Sequence, residues 1–194
     1  MYTDTVSPHS EGMRFAIDVA YVDAFSAYGL PLDDWSVAEA ARALEQRGIA
    51  QPAAAALDDW AEVRRRLKHA DDAERLVAIA LEVDPDAVRA RLRRAIQIGD
   101  AALLREFSRD EDSARLPASS LNLLATAFRK AGFDVNALRT LKLAQLHHPE
   151  DYVVNFNLGL TYRNSTPSRA DEAVRCFQAA LAAEPGDTRL QTMI

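Results

Sequence analysis

Apolar positions return every three to four residues through most of this chain, the period of one face of a helix. Residues 1–10 read as a loose lead-in. Residues 11–28 read as a first helix, with Phe15, Val19, Val22 and Phe25 at helical spacing, and Gly29 ends it as a C-cap. Residues 30–34 form a turn. Ser36 followed by Glu39 predicts a capping box for a second helix over 37–47, closed by Gly48. After that, proline sets the metre. Pro52, Pro85, Pro117, Pro149 and Pro185 are spaced 33, 32, 32 and 36 residues apart. Proline breaks a helix and restricts the residue before it, so all five are expected between units, with four helical hairpins among them.

The first hairpin covers 53–68 and 71–83. Leu57 and Trp60 are expected in its core, with Ala73, Val77 and Ala80 opposite. The second covers 86–98 and a short 100–108, broken at Gly99. Its stripe Val88, Leu92, Ile96 is degenerate, because Arg91 and Arg94 stand where apolar groups are expected. An acidic loop over 109–116 follows. The third and fourth hairpins repeat each other. Leu124, Ala125 and Phe128 recur as Leu158, Gly159 and Tyr162, each 34 residues on. Ala137, Leu141, Ala144 and Pro149 recur as Ala173, Phe177, Ala180 and Pro185, each 36 on. A two-residue insertion in the turn 163–169 accounts for the change. Small residues at Ala125, Gly159, Ala137 and Ala173 let paired helices approach closely, and Phe128, Tyr162 and Phe177 fill the space between units.

This pattern is identified as that of the tetratricopeptide repeat, in which one hairpin cannot bury its apolar face alone and neighbours must stack. The resemblance implies an all-α fold: a right-handed superhelical solenoid of antiparallel hairpins, about ten helices. The expected organisation is an N-terminal helical cap over 1–51, two degenerate hairpins over 52–117, two clear units over 118–185, and a truncated helix or tail over 186–194. The chain stops where a further helix would begin, so it reads as part of something longer or as a chain that self-associates at that end.

The order of segments also resembles the C-terminal helical-repeat region of large planctomycete serine/threonine protein kinases. The stretches that carry it are AFSAYGL (24–30), AAALDDWAEVRR (54–65), VDPDAVRARLRR (83–94), ARLPASSLNLL (114–124) and AQLHHPEDYVVNFN (144–157). None is a catalytic motif. The chain lacks G-x-G-x-x-G, H-R-D and D-F-G, so the resemblance implies a regulatory or adaptor appendage and not kinase activity.

Composition narrows the partner. The net charge is −6, which disfavours nucleic acid and anionic membrane. Hydrophobic residues are 48% and charged residues 27% of the chain, an ordinary soluble composition. The single cysteine, Cys176, excludes an internal disulfide and points to a reducing compartment. It reads as a plain helix thiol. No signal peptide is evident, and the run 15–30 is broken by Asp18 and Asp23, so a cytoplasmic location is expected.

By the register of the resemblance, ligands lie along the concave surface. The first helix of the third unit turns Ser119, Asn122, Thr126, Arg129 and Lys130 inward; that of the fourth turns Val153, Phe156, Leu160, Arg163 and Asn164 inward. Phe156 and Leu160 would grip a hydrophobic anchor while Arg129 and Arg163 hold a carboxylate. The alternative is that Phe156 and Leu160 pack under the C-terminal tail or a neighbouring chain. Arg64–Arg66 and Arg89, Arg91, Arg93, Arg94 lie among Asp58, Asp59, Asp71, Asp72, Asp84 and Asp86, so they read as salt-bridged, solvated helix faces. His147 and His148 point about 100° apart on a helix and make a poor metal site. No catalytic residue, cofactor or metal is expected. The function read from sequence is a scaffold that binds a peptide or protein segment. The alternative is a self-association module, a homodimer through the C-terminal end.

Overall fold

The structure is a computed structural model that describes residues 8–107, 116–186 and 190. The described residues hold ten helices and no strand, so the fold is all-α. In order they are α1 (Pro8–Ala27), α2 (Val37–Gln46), α3 (Ala50–Arg66), α4 (Ala70–Val83), α5 (Ala87–Ile98), α6 (Ala101–Phe107), α7 (Ala118–Lys130), α8 (Asp134–His147), α9 (Tyr152–Arg163) and α10 (Ala170–Ala183). Residues 1–7 of the expected lead-in, the acidic loop apart from Leu116, and the tail apart from Gly186 and Leu190 lie outside the described residues. Contacts divide the chain into two compact units, Met1–Arg93 and Arg94–Ile194.

Local signals set the helix ends. The Ser36 hydroxyl accepts from the Glu39 amide at 3.3 Å, and the Ser36 amide donates to Glu39 Oε2 at 2.8 Å. This reciprocal box satisfies two amides that α2 would otherwise leave open. Gly29 and Gly48 follow α1 and α2 in the left-handed region, at φ +69° and +68°. That conformation suits glycine and turns the chain out of the helix. Two expectations about proline are corrected. Pro8 opens α1, so residues 8–10 are helical and not a lead-in. Pro52 lies inside the first turn of α3 and not between units. An amide there has no partner within the helix, so proline removes nothing.

In unit 1, α3 and α4 pack against each other along their length, α1 packs on α3, and α2 packs on α4. The core is built from Leu30, Leu44, Leu57, Trp60, Leu76 and Ile79, with small residues Ala54, Ala61, Ala73 and Ala80 at the close approaches. Tyr21 and Phe25 of α1 stack on the Trp60 ring, each at 5.6 Å between centroids. α1 carries apolar residues on more than one side. It sets Val22 and Phe25 against the core, whereas Phe15 and Val19, expected on the same stripe, are exposed.

In unit 2, α7 packs with α8 and α9 with α10, and α9 also packs against both α7 and α8. Every core position expected from the repeat is buried: Leu124, Ala125, Phe128, Ala137, Leu141 and Ala144 in one hairpin, and Leu158, Gly159, Tyr162, Ala173, Phe177 and Ala180 in the other. Asn155 is a buried polar residue at 0% exposure. Its amide donates to the carbonyls of Pro149 and Asp151 at 2.7 and 2.9 Å, and its oxygen accepts from Gln145 at 2.8 Å. A buried amide with all these partners fixes the turn from α8 into α9, and its hydrogen bonds offset the cost of desolvation.

Candidate functional site

The residues expected to face a ligand lie on α7 and α9. A helix turns 100° per residue, so Asn122, Thr126 and Arg129 share one stripe of α7, and Val153, Phe156, Leu160 and Arg163 share one of α9. On α7, Ser119 and Lys130 are exposed, and Asn122, Thr126 and Arg129 are half-buried. On α9, Val153, Arg163 and Asn164 are exposed, and Phe156 and Leu160 are half-buried. Two contacts organise these groups. Asn157 donates its amide to Asn122 Oδ1 at 2.8 Å, which ties α9 to α7 in the middle of the stripe. Phe156 stacks on Tyr152 at 5.8 Å with planes 9° apart, and its other neighbour is the Phe177 ring at 6.1 Å.

The guanidinium groups divide. Arg163 Cζ lies 5.9 Å from the centroid of the Phe177 ring, a cation–π distance. Arg129 donates to Thr126 Oγ1 at 3.5 Å on its own helix. Phe156 is therefore one edge of the core and one edge of the surface, and Leu160, one turn on, extends the apolar strip towards Arg163. Tyr152 and Asn157 belong to this face although sequence reasoning did not single them out. Tyr152 stands four residues before Phe156, a spacing that marks the same face. Asn157 carries no such signal.

One arginine of each basic cluster proves to be internal. Arg64 is 4% exposed. Its Nε donates to Asp18 Oδ1 at 2.9 Å, and its two terminal nitrogens donate to Asp33 at 2.7 and 2.6 Å. Its guanidinium lies 4.2 Å from the Trp60 ring, whose indole nitrogen donates to the same Asp18 oxygen at 2.6 Å. Arg75 joins the group through Asp33 and the carbonyls of Leu32 and Trp35. Arg93 is 3% exposed and bridges Asp58 at 2.9 Å and Asp84 at 2.9 Å. The reading of solvated faces is corrected for Arg64 and Arg93. The salt bridges are there, but burial is permitted because each guanidinium meets two carboxylates in bonding geometry. In α5 Arg93 is thus buried alongside Leu92 and Ala95, and Arg94 is exposed.

These pairings shift the titrating groups. The hydrogen bond from Arg64 holds the Asp33 carboxyl below its ordinary value, over the opposing effect of burial. Burial pushes Asp84 up, but Arg89 and Arg93 outweigh it and hold it below the ordinary value. Burial pushes the Asp58 carboxyl up in spite of Arg93. Burial also raises the Cys176 thiol, which keeps it protonated and unreactive. The described residues hold no cluster of three or more His, Cys, Asp or Glu that would suit a metal ion, and no helix long and apolar enough to cross a membrane. No protein-family model matches the chain, and no curated protein does.

Proposed function

We propose that the chain is a tetratricopeptide-type interaction scaffold whose α7 and α9 grip an extended segment of a partner protein. In this reading the hairpins stack as a right-handed solenoid, and the chain is a regulatory appendage of a larger serine/threonine kinase. The repeat spacing and the segments quoted above support that placement. One observation carries the binding reading: Phe156 and Leu160 are only half-buried, on a stripe that ends in exposed Arg163, beside the Asn122–Asn157 pair. Apolar groups left at a surface mark contacts, and the flanking amide and guanidinium groups supply donors for a backbone carbonyl or a carboxylate.

The test is affinity capture from the source organism's lysate, comparing the wild-type chain with Phe156→Ala/Arg163→Glu, both first shown to be folded by circular dichroism. A partner retained by wild type and lost by the variant is the expected result. Identical partners on both baits would refute the groove. A second reading, self-association, is favoured by α1, which leaves Met13, Phe15, Ile17 and Val19 exposed. Sedimentation equilibrium decides it: mass that rises with concentration and falls back in Phe15→Ser supports a dimer.

A further inference from the structure

The outward face of α8 combines features that an idle surface does not need. Its core side is Ala137, Thr140, Leu141 and Ala144. On the opposite side, Val135, Arg139, Lys142 and Leu146 fall in one line along three turns. Val135 is 82% and Leu146 74% exposed, and both cations are exposed. Half-buried Leu138 and Leu143 flank the line. From Val135 to His147 the helix carries no acidic residue, and among the described residues neither Arg139 nor Lys142 has an ion pair. Other surface cations do, as Arg66 with Glu62 and Arg169 with Glu172 show.

We propose that this face docks an acidic amphipathic helix of a partner protein. The helix's aliphatic side chains would cover the line between Val135 and Leu146, and its carboxylates would meet Arg139 and Lys142. Charge selects this occupant. A second copy related by a two-fold axis would bring the same cations onto each other, and the chain's net charge of −6 repels an anionic membrane. That negative balance also repels an acidic segment from the rest of the surface, so docking is steered to the basic line. The inference uses a different face from the groove on α7 and α9 and does not rest on it.

The probe is a labelled synthetic helical peptide with leucines along one side and glutamates beside them, read by fluorescence anisotropy. A twin peptide carries lysine for each glutamate. The acidic peptide is expected to bind and the twin not to bind. Arg139→Glu/Lys142→Glu should weaken binding by roughly tenfold or more, since two exposed attractions become repulsions. Leu146→Ser should weaken it several-fold, and both variants alter only exposed positions. Four results would overturn the proposal: equal binding of the twin, wild-type binding by the charge-reversed variant, loss only in Phe156→Ala/Arg163→Glu, or no binding at low salt. Mass that rises with concentration and is abolished by Leu146→Ser would replace the peptide with a second copy. Binding to phosphatidylserine vesicles, abolished by the charge reversal, would replace it with a membrane.

Discussion

Replacing Gly159 by alanine sets two effects against each other, and the structure decides the winner. Alanine in the interior of α9 gains about 1 kcal/mol of helix propensity over glycine. Its Cβ, however, would lie 2.5 Å from Phe177 Cε1, 2.7 Å from Cδ1 and 3.1 Å from Cζ. Carbon atoms in good contact sit about 3.5–4.0 Å apart, so the ring must retreat by about 1 Å. It has little room, because Phe177 is 1% exposed and Phe156 stands against it. Overpacking of this kind costs about 1–3 kcal/mol, and a confined ring places it at the upper end. The net loss is then about 2 kcal/mol, or roughly 4–8 °C in a chain of this length. Far-UV circular dichroism during urea and thermal unfolding is the assay, because both tryptophans, Trp35 and Trp60, lie in unit 1. Adding Phe177→Leu should recover part of the loss, with a coupling of about 1 kcal/mol. A Gly159→Ala chain as stable as wild type, or a double variant that is merely additive, would refute the tight α9–α10 contact.

Three further outcomes follow from the charged interior and from one strained residue. Arg93→Met should destabilise by about 3–5 kcal/mol, because it leaves Asp58 and Asp84 buried without the guanidinium that joins them; a loss under about 1 kcal/mol in urea titration would deny the network. Lys68 holds a left-handed backbone at φ +66° after α3, so Lys68→Gly should raise stability by about 0.5–1 kcal/mol, the relief of strain less the entropy glycine adds to the unfolded chain; a lower melting temperature would contradict this. Asp33 and Asp84 titrate below their ordinary value in the fold, so the unfolded chain binds more protons in that window. Their contribution is present above the ordinary carboxylate range and lost as pH falls through and below it. Asp58 acts in the opposite sense. Asp33→Asn should flatten the acid limb of the stability curve, and an unchanged slope would count against its pairing with Arg64.

The apolar skeleton was legible because its rule is local. Helix period and proline spacing located the helices to within a few residues, and the 34- and 36-residue recurrences identified the buried face of α7 to α10 position by position. The polar interior obeys no such rule. A charged residue is mostly exposed, and that expectation placed Arg64 and Arg93 in solvent. Most of their partners lie far along the chain: Asp18 and Asp33 are 46 and 31 residues from Arg64, and Asp58 is 35 from Arg93, although Asp84 is 9 from it. Spacing inside one helix cannot report a pairing of that kind. α1 fails for the converse reason, since apolar residues on several sides of a helix give no signal of which side is covered.

The α7–α9 face combines both cases. Phe156 and Leu160 follow from the register of the repeat resemblance, which sets them on one turn-to-turn stripe. The Asn122–Asn157 bond was not, because it crosses 35 residues, one more than the helix-A repeat. That extra residue has a physical meaning. Position 156, the repeat equivalent of Asn122, is taken by an aromatic that leans on Phe177, so the amide that reaches back to α7 comes from the next residue. Two adjacent positions of α9 thus divide two tasks, packing against α10 at Phe156 and registering against α7 at Asn157. Thr161, whose hydroxyl donates to the Asn157 carbonyl at 2.8 Å, lies one turn further along the same side. A repeat read only through its small and aromatic residues therefore captures how the hairpins close, while the polar contacts between successive hairpins must be read from the helices in place.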